Sequence, residues 1–177
     1  MKCIVCKNED IEVIEENEKE YYCCQNGHKE PRMIENEGLE NYKKSGEIVH
    51  KSVGAILEKN NKIVLLKRRK YPFKFTIPAG HLENGEKPAK AVLREIKEET
   101  RLKIDEVEKI FEGEIKDPCR RGADYHYWYL FKAQVEEQES IRLNDEASDY
   151  KLLEPEKLHS MDLTMPTETL LVDKSLI

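Results

Sequence analysis

Glu95, Glu98 and Glu99 fall within the segment Arg94-Glu-Ile-Lys-Glu-Glu99, at spacings that divalent-metal phosphate chemistry can use. On a helix, Glu95 and Glu99 stand one turn apart with Glu98 between them, so three carboxylates converge where few side chains separate them. Like charges at that range repel, and an ordinary solvated face would interleave Lys or Arg to relieve them. A hard dication relieves them better, because Mg²⁺ takes oxygen ligands and is usually completed by waters and substrate phosphate oxygens. The cluster reads as half of a metal and phosphate site. A solvated acidic face is the competing reading in a chain with 37% charged residues.

The surrounding elements must position those groups. Asn84-Gly85 is a turn dipeptide, and Pro88 suits a first helical turn, where its missing N–H costs nothing. The pattern predicts a helix from about Pro88 to Thr100, with Val92, Leu93, Ile96 and Thr100 on one face, Ala89 beside them, and the glutamates on its flank. Aliphatic runs at Ser52 to Leu57 and Lys62 to Leu66 are joined by Asn60-Asn61, a hairpin signal. Phe75 to Ile77, Val107 to Ile115, Asp124 to Val135 and Tyr150 to Leu153 are further strand candidates, and Pro155 to Ser160 and the tail after Pro166 read as short helices. Strands alternating with helices in this way imply an α/β (α+β) architecture with a mixed sheet.

Written as G-x5-E-x7-R-E-U-x-E-E-x-G-U, with U aliphatic, the pattern of the Nudix hydrolase family is met by Gly80, Glu86, Arg94, Glu95, Ile96, Glu98, Glu99 and Leu102. Arg101 stands where the family has glycine. The resemblance implies an α/β/α sandwich and a metal-dependent pyrophosphohydrolase using Mg²⁺ or Mn²⁺. Carried over by position, Glu98 and Glu99 look like the metal-ligating pair, the Gly80 carbonyl a further ligand, and Glu95 a ligand or the residue that activates water. Glu86 and Arg94 resemble the ion pair that holds the loop on the helix. Glu146, in the segment Asn144-Asp-Glu146, matches a loop that in some members presents one more glutamate, though an exposed carboxylate without a role fits nearly as well. Arg68 and Arg69, within a Lys67 to Lys70 basic run, either end a strand in solvent or grip a phosphate. A Cβ at the Arg101 position costs about 1 to 2 kcal/mol if the backbone stays left-handed. Either the residue bears that strain or the turn is rebuilt.

The first thirty residues form a second unit. Cys3 and Cys6 have the spacing of a metal knuckle, and Ile11 to Ile14 and Lys19 to Tyr22 flank a turn at Glu15 to Glu18. Cys24 and His28 then supply a second pair of ligands, and the whole resembles a zinc ribbon around tetrahedral Zn²⁺. Cys23 could replace its neighbour, but Asn26-Gly27 can make the tight turn that returns His28 to Cys24. Disulfides or scattered buried thiols are the other readings. Cys119 lies outside the cluster and reads as a free thiol. Residues 31–46 are polar, without firm periodicity, and read as a linker to a catalytic domain over 47–177.

Composition narrows partners and location. Formal charge is −6 overall, and residues 1–30 contribute 4 − 8 = −4, from four lysines against seven glutamates and one aspartate. A nucleic-acid-binding ribbon needs a basic face, so this one reads as a structural appendage, a lid or a homodimer contact. No apolar run approaches membrane-spanning length, the N-terminus lacks a signal-peptide core, and reduced cysteines imply the cytoplasm. The expected partner is a small nucleotide. A zinc ribbon before such a domain is similar to the arrangement in NADH pyrophosphatases, but their SQPWPFPxS motif is missing. Pro118, sixteen residues after the box, resembles a spacing in ADP-ribose pyrophosphatases. The ranking is ADP-ribose or a similar nucleoside diphosphate derivative, then nucleoside triphosphates, then NADH. A nucleotide sensor that does not cleave its ligand is the alternative of a different class. One ring of Tyr125 to Phe131 could stack on a base.

Overall fold

A computed structural model describes residues 3, 6, 8, 10–17, 19–31, 38–70, 72–117, 119 and 121–173. Pro118 lies outside the described residues, as do Glu18, residues 32–37 of the expected linker and the last four positions. Two sheets are built from the chain in order. The first is three-stranded and antiparallel, with β1 (Ile11–Glu16), β2 (Lys19–Cys24) and β3 (Lys29–Pro31) in sequence. Among its described residues only Cys3 and Cys24 are buried, so it has almost no apolar core.

The second sheet comprises β4 (Asn41–Lys44), β5 (Glu47–Lys59), β6 (Lys62–Arg68), β7 (Phe75–Thr76), β8 (Ala79–His81), β9 (Glu108–Ile115), β10 (Tyr125–Gln134) and β11 (Ala147–Leu153). Its backbone order is β11-β6-β5-β10-β9, with β4 and β8 on β5 and β7 on β6. It is mixed, because β5 and β10 run parallel while their other pairings are antiparallel. Asn60 and Asn61 take φ 51° and 59°, the left-handed pair that a tight hairpin between β5 and β6 needs. The stretch expected as a linker carries, at 41–44, a strand paired to β5.

Alternation along the strands gives the sheet two apolar faces. Val53, Ala55, Leu57, Val64, Leu66, Phe131 and Ala133 pack beneath α1 (Pro88–Thr100), against Ala91, Val92 and Ile96. Ile56, Ile63, Leu65, Trp128 and Leu130 pack on the other face against Leu158, Leu170 and Leu171, from the 3₁₀ turn Pro155–Ser160 and the C-terminal helical segment. Val92 and Ile96 are wholly buried, and each stabilises the docking of α1 by about 2 kcal/mol. Helix, sheet and C-terminal helices form three layers. That docking fixes which flank of α1 faces the turn after β8.

Candidate metal and phosphate site

The glutamates on α1 meet strand β8 edge-on. Glu99 is buried, and one of its carboxylate oxygens accepts the Ala79 N–H at 3.1 Å. The Glu95 carboxyl lies against the Cα of Gly80, where any Cβ would collide with it. Glycine is needed there for close approach rather than for an unusual φ. Glu98 is about half exposed and completes the row.

Arg94 ties helix, loop and strand together. It donates from Nε and Nη2 to the two oxygens of Glu86, at 3.1 and 3.0 Å, the bidentate geometry that orients a guanidinium most firmly. Its Nη1 donates to Glu95 at 2.8 Å and lies 3.5 Å from Glu98, while Nη2 also reaches the His81 carbonyl at 3.2 Å. Arg94 therefore both clamps the loop and aims two of the carboxylates.

Burial pushes the Glu99 carboxyl up, and the nearby Glu95 and Glu146 charges push it further, to about 8. Burial likewise raises Glu95 against the opposing effect of Arg94. Carboxyls this strained in their charged form, on one flank of α1 beside β8, suit a hard dication. The donor set fits Mg²⁺ or Mn²⁺.

Glu146 arrives from another element. Its loop crosses the end of α1, with the Arg142 N–H donating to the Thr100 carbonyl at 2.9 Å. The Arg69 N–H donates to the Glu146 carbonyl at 2.8 Å, and Arg69 Nε to the Ala147 carbonyl at 3.0 Å. Arg69 thus holds the loop carrying Glu146, and Arg68 is the member of the basic run whose charge acts on Glu99. Exposed Glu146 adds its charge to Glu95 and Glu99, so it shares their neighbourhood.

Arg101 takes φ 59° and ψ 8°, a left-handed conformation, and its N–H caps the helix on the Lys97 carbonyl at 3.0 Å. The turn is kept rather than rebuilt. Arginine occupies the backbone shape that suits glycine, and α1 ends at Thr100 as the spacing predicts.

Across the sheet, Gly80 pairs with Val53 and Val53 with Tyr129, one row on the face that carries α1. Tyr129 and Tyr127 are half-buried, with ring centroids 5.2 Å apart. Two strand spacings, roughly 10 Å, separate Tyr129 from Gly80.

In the small sheet, the ligand atoms of Cys3, Cys6, Cys24 and His28 all lie within 4.8 Å of one another. Cys24 Sγ is 3.7 Å from Cys6 Sγ and 3.4 Å from His28 Nδ1. Cys23 is not in the group; strand alternation turns Cys24 inward, and Gly27, at φ 78°, makes the turn that brings His28 back. None of the five cysteines is in a disulfide. Two features escaped the sequence reading. One is the Ala79 amide, since backbone donors have no sequence signature. The other is Cys119, which stands among His50, His81 and His126, four residues from separate segments with no informative spacing.

Known proteins resemble the chain in part. The sequence profile of the NUDIX domain matches residues 49–171. An ADP-ribose pyrophosphatase of Methanocaldococcus jannaschii is 45% identical over 71 residues, covering 38% of this chain and 42% of that protein. The match thus spans less than half of that relative. Among solved structures, the NUDIX domain of Shewanella oneidensis NrtR complexed with ADP ribose aligns at TM-score 0.60 and 20% identity, over 77% of this chain and 91% of its own. A MutT protein from Methanosarcina mazei Go1 aligns at TM-score 0.59 and 20% identity, over 71% and 91%. A C. elegans Ap4A hydrolase aligns at 0.57 and 20%, over 71% and 95%. At such identities these structures establish the fold.

Proposed function

The chain belongs to the NUDIX domain family, and from that premise we propose that it is a hydrolase of the phosphoric anhydride in a nucleoside diphosphate linked to another group, ADP-ribose being the first candidate. Nucleoside triphosphates and then NADH follow. The observation that carries this reading is the Glu95 carboxyl against Gly80 and Glu99 on the Ala79 amide, with Arg94 beside both Glu95 and Glu98, and with Glu99 buried and its charged form disfavoured unless a cation is near. The partial match to an ADP-ribose pyrophosphatase ranks the substrates.

Glu95, Glu98, Glu99 and the Gly80 carbonyl would hold Mg²⁺ or Mn²⁺. When bound, the ion supplies charge neutralisation on the diphosphate and lowers the pKa of water. Arg94, anchored by Glu86, aims Glu95 and Glu98. Glu95 or Glu146 would take the proton of the attacking water, both being carboxylates whose charges act on Glu99. Arg68 offers a guanidinium to a phosphate. Tyr129 presents a ring about one nucleoside length from Gly80, which suits stacking on the base.

The small sheet is a zinc ribbon in this proposal, with Cys3, Cys6, Cys24 and His28 as ligands. Three thiols and one imidazole at mutual distances of 4.8 Å or less fit tetrahedral Zn²⁺. The arrangement is a ribbon over 1–30 and a catalytic domain over 47–177 joined by 31–46. A sensor that binds without cleaving drew its support from Arg101. That support weakens because Arg101 keeps the helix end in place.

The test is phosphate-product release from ADP-ribose, NADH, sugar nucleotides, dinucleoside polyphosphates and nucleoside triphosphates, with Mg²⁺ or Mn²⁺, comparing wild type with Glu98→Gln. We expect cleavage of the ADP-ribose class and a loss of about 100-fold or more in the variant, whose fold should be intact. Nucleotide binding without product across the panel would replace the hydrolase by the sensor.

A further inference from the structure

On the sheet face opposite α1, four potential ligands meet from separate segments: His50 on β5, His81 on β8, Cys119 in the loop before β10, and His126 on β10. His50 and His126 face each other in the parallel β5–β10 register. Gly80 turns toward the Glu95 carboxyl, so the next side chain, His81, points to the other face. The cluster therefore lies beneath the strand that carries Gly80, on the far side of the sheet from the glutamates.

The distances suit a tetrahedral ion. Zinc, with bonds of about 2.0 Å to nitrogen and about 2.3 Å to sulfur, separates two nitrogen ligands by about 3.3 Å and a nitrogen from a sulfur by about 3.6 Å. His126 Nε2 and His81 Nε2 are 3.3 Å apart. Cys119 Sγ is 3.8 Å from His50 Nδ1 and 3.8 Å from His81 Nε2. All four ligand atoms lie within 4.8 Å of one another. Hydrogen bonding alone accounts poorly for three imidazoles and a thiol converging on one point in a largely buried place.

The surroundings add an independent observation. The other ring nitrogen of His126, Nδ1, is 2.9 Å from Asp117, a buried carboxylate whose second oxygen accepts the Trp128 indole N–H at 3.0 Å. A carboxylate on the far nitrogen of a histidine fixes its tautomer and turns the free lone pair toward a metal, the usual companion of a histidine ligand. Trp128 in turn holds Asp117. Nothing in the proposed hydrolysis uses the side chain of Asp117 or of any of the four residues.

We propose that His50, His81, Cys119 and His126 form a second zinc site, oriented through His126 by Asp117. Three nitrogens and one sulfur are a borderline-soft set suited to Zn²⁺, and four protein ligands leave no open position, so the ion is structural. It ties Cys119 to β5, β8 and β10. Because the His81 carbonyl accepts from Arg94, it also pins from below the strand that the glutamates meet from above.

The test is zinc content and X-ray absorption of the full-length protein, metal-depleted and reloaded with Zn²⁺, alongside Cys119→Ser and Cys24→Ser. With both sites filled, wild type holds about two zinc ions per chain, averaging about two sulfur and two nitrogen ligands each. Cys24→Ser should keep one ion in a nitrogen-rich shell, and Cys119→Ser one in a sulfur-rich shell. The absorption spectrum of wild type decides the matter even if a variant fails to fold. A single zinc with about three sulfurs would overturn the second site. A single zinc with about three nitrogens would uphold it and reject the ribbon instead.

Discussion

Arg101 is the residue at which the chain departs from its family, and the cost is local. Its φ of 59° is a conformation that a Cβ disfavours by about 1 to 2 kcal/mol, while glycine would return part of that difference through a freer unfolded chain. Arg101→Gly should therefore raise stability by about 1 kcal/mol, or a few degrees in Tm, with turnover unchanged. Urea denaturation beside an activity assay checks this, and a less stable variant would mean that the arginine side chain makes a compensating contact. Legibility at this scale followed distance along the chain. Glu86 and Arg94, eight positions apart, were readable as a pair because one turn and one helix relate them. His81 and Cys119 were not, since only the folded sheet makes them neighbours. Arg69 was readable as basic, but not as the anchor of the Glu146 loop, because its acceptor is a backbone carbonyl on another strand.

Elements were legible where periodicity or turn chemistry marked them. The Asn60-Asn61 hairpin and α1 follow from the spacing, and the long apolar runs became β5, β6 and β10. β4 was missed because Asn41-Tyr-Lys-Lys44 is polar, mostly exposed and pairs only at one end of β5. β8 was missed because three residues, Ala79-Gly-His81, carry no period. The loop between β8 and α1 depends on the Glu86 ion pair, which gives it a pH signature. Hydrogen bonds from Arg94 hold the Glu86 carboxyl below its ordinary value of 4.5. A depressed carboxylate contributes stability that is present above the unfolded value and is lost as pH falls through the folded one. Glu86→Gln should then cost about 2 kcal/mol at pH 7, with the gap to wild type closing as pH drops below about 4.5. Denaturation series at pH 7, 5 and 3 read this directly. A gap independent of pH would mean that packing, not charge, makes Glu86 matter.

At the scale of the whole molecule, the two sheets are stabilised by different means. The larger has apolar clusters on both faces, whereas the smaller buries only two cysteines among its described residues. Val13 is 48% exposed, and the Lys29–Glu16 ion pair is at the surface, where such pairs contribute little. Ribbon order must come mainly from the metal if Cys3, Cys6, Cys24 and His28 bind one. The acidic composition shapes the partner but not this balance, and no helix among the described residues is long and apolar enough to cross a membrane. A long contact joins the sheets, from the Tyr22 hydroxyl to the Cys119 carbonyl at 3.5 Å, too weak to order the ribbon alone. Removing one ligand should therefore unfold the ribbon and spare the rest. In Cys24→Ser, limited proteolysis is expected to cut within residues 3–31 at least tenfold faster, while the main thermal transition moves by only a few degrees. Unchanged protection would show that the ribbon holds without its metal. Loss of the main transition would show that the larger sheet needs the ribbon to fold, which its own apolar faces argue against.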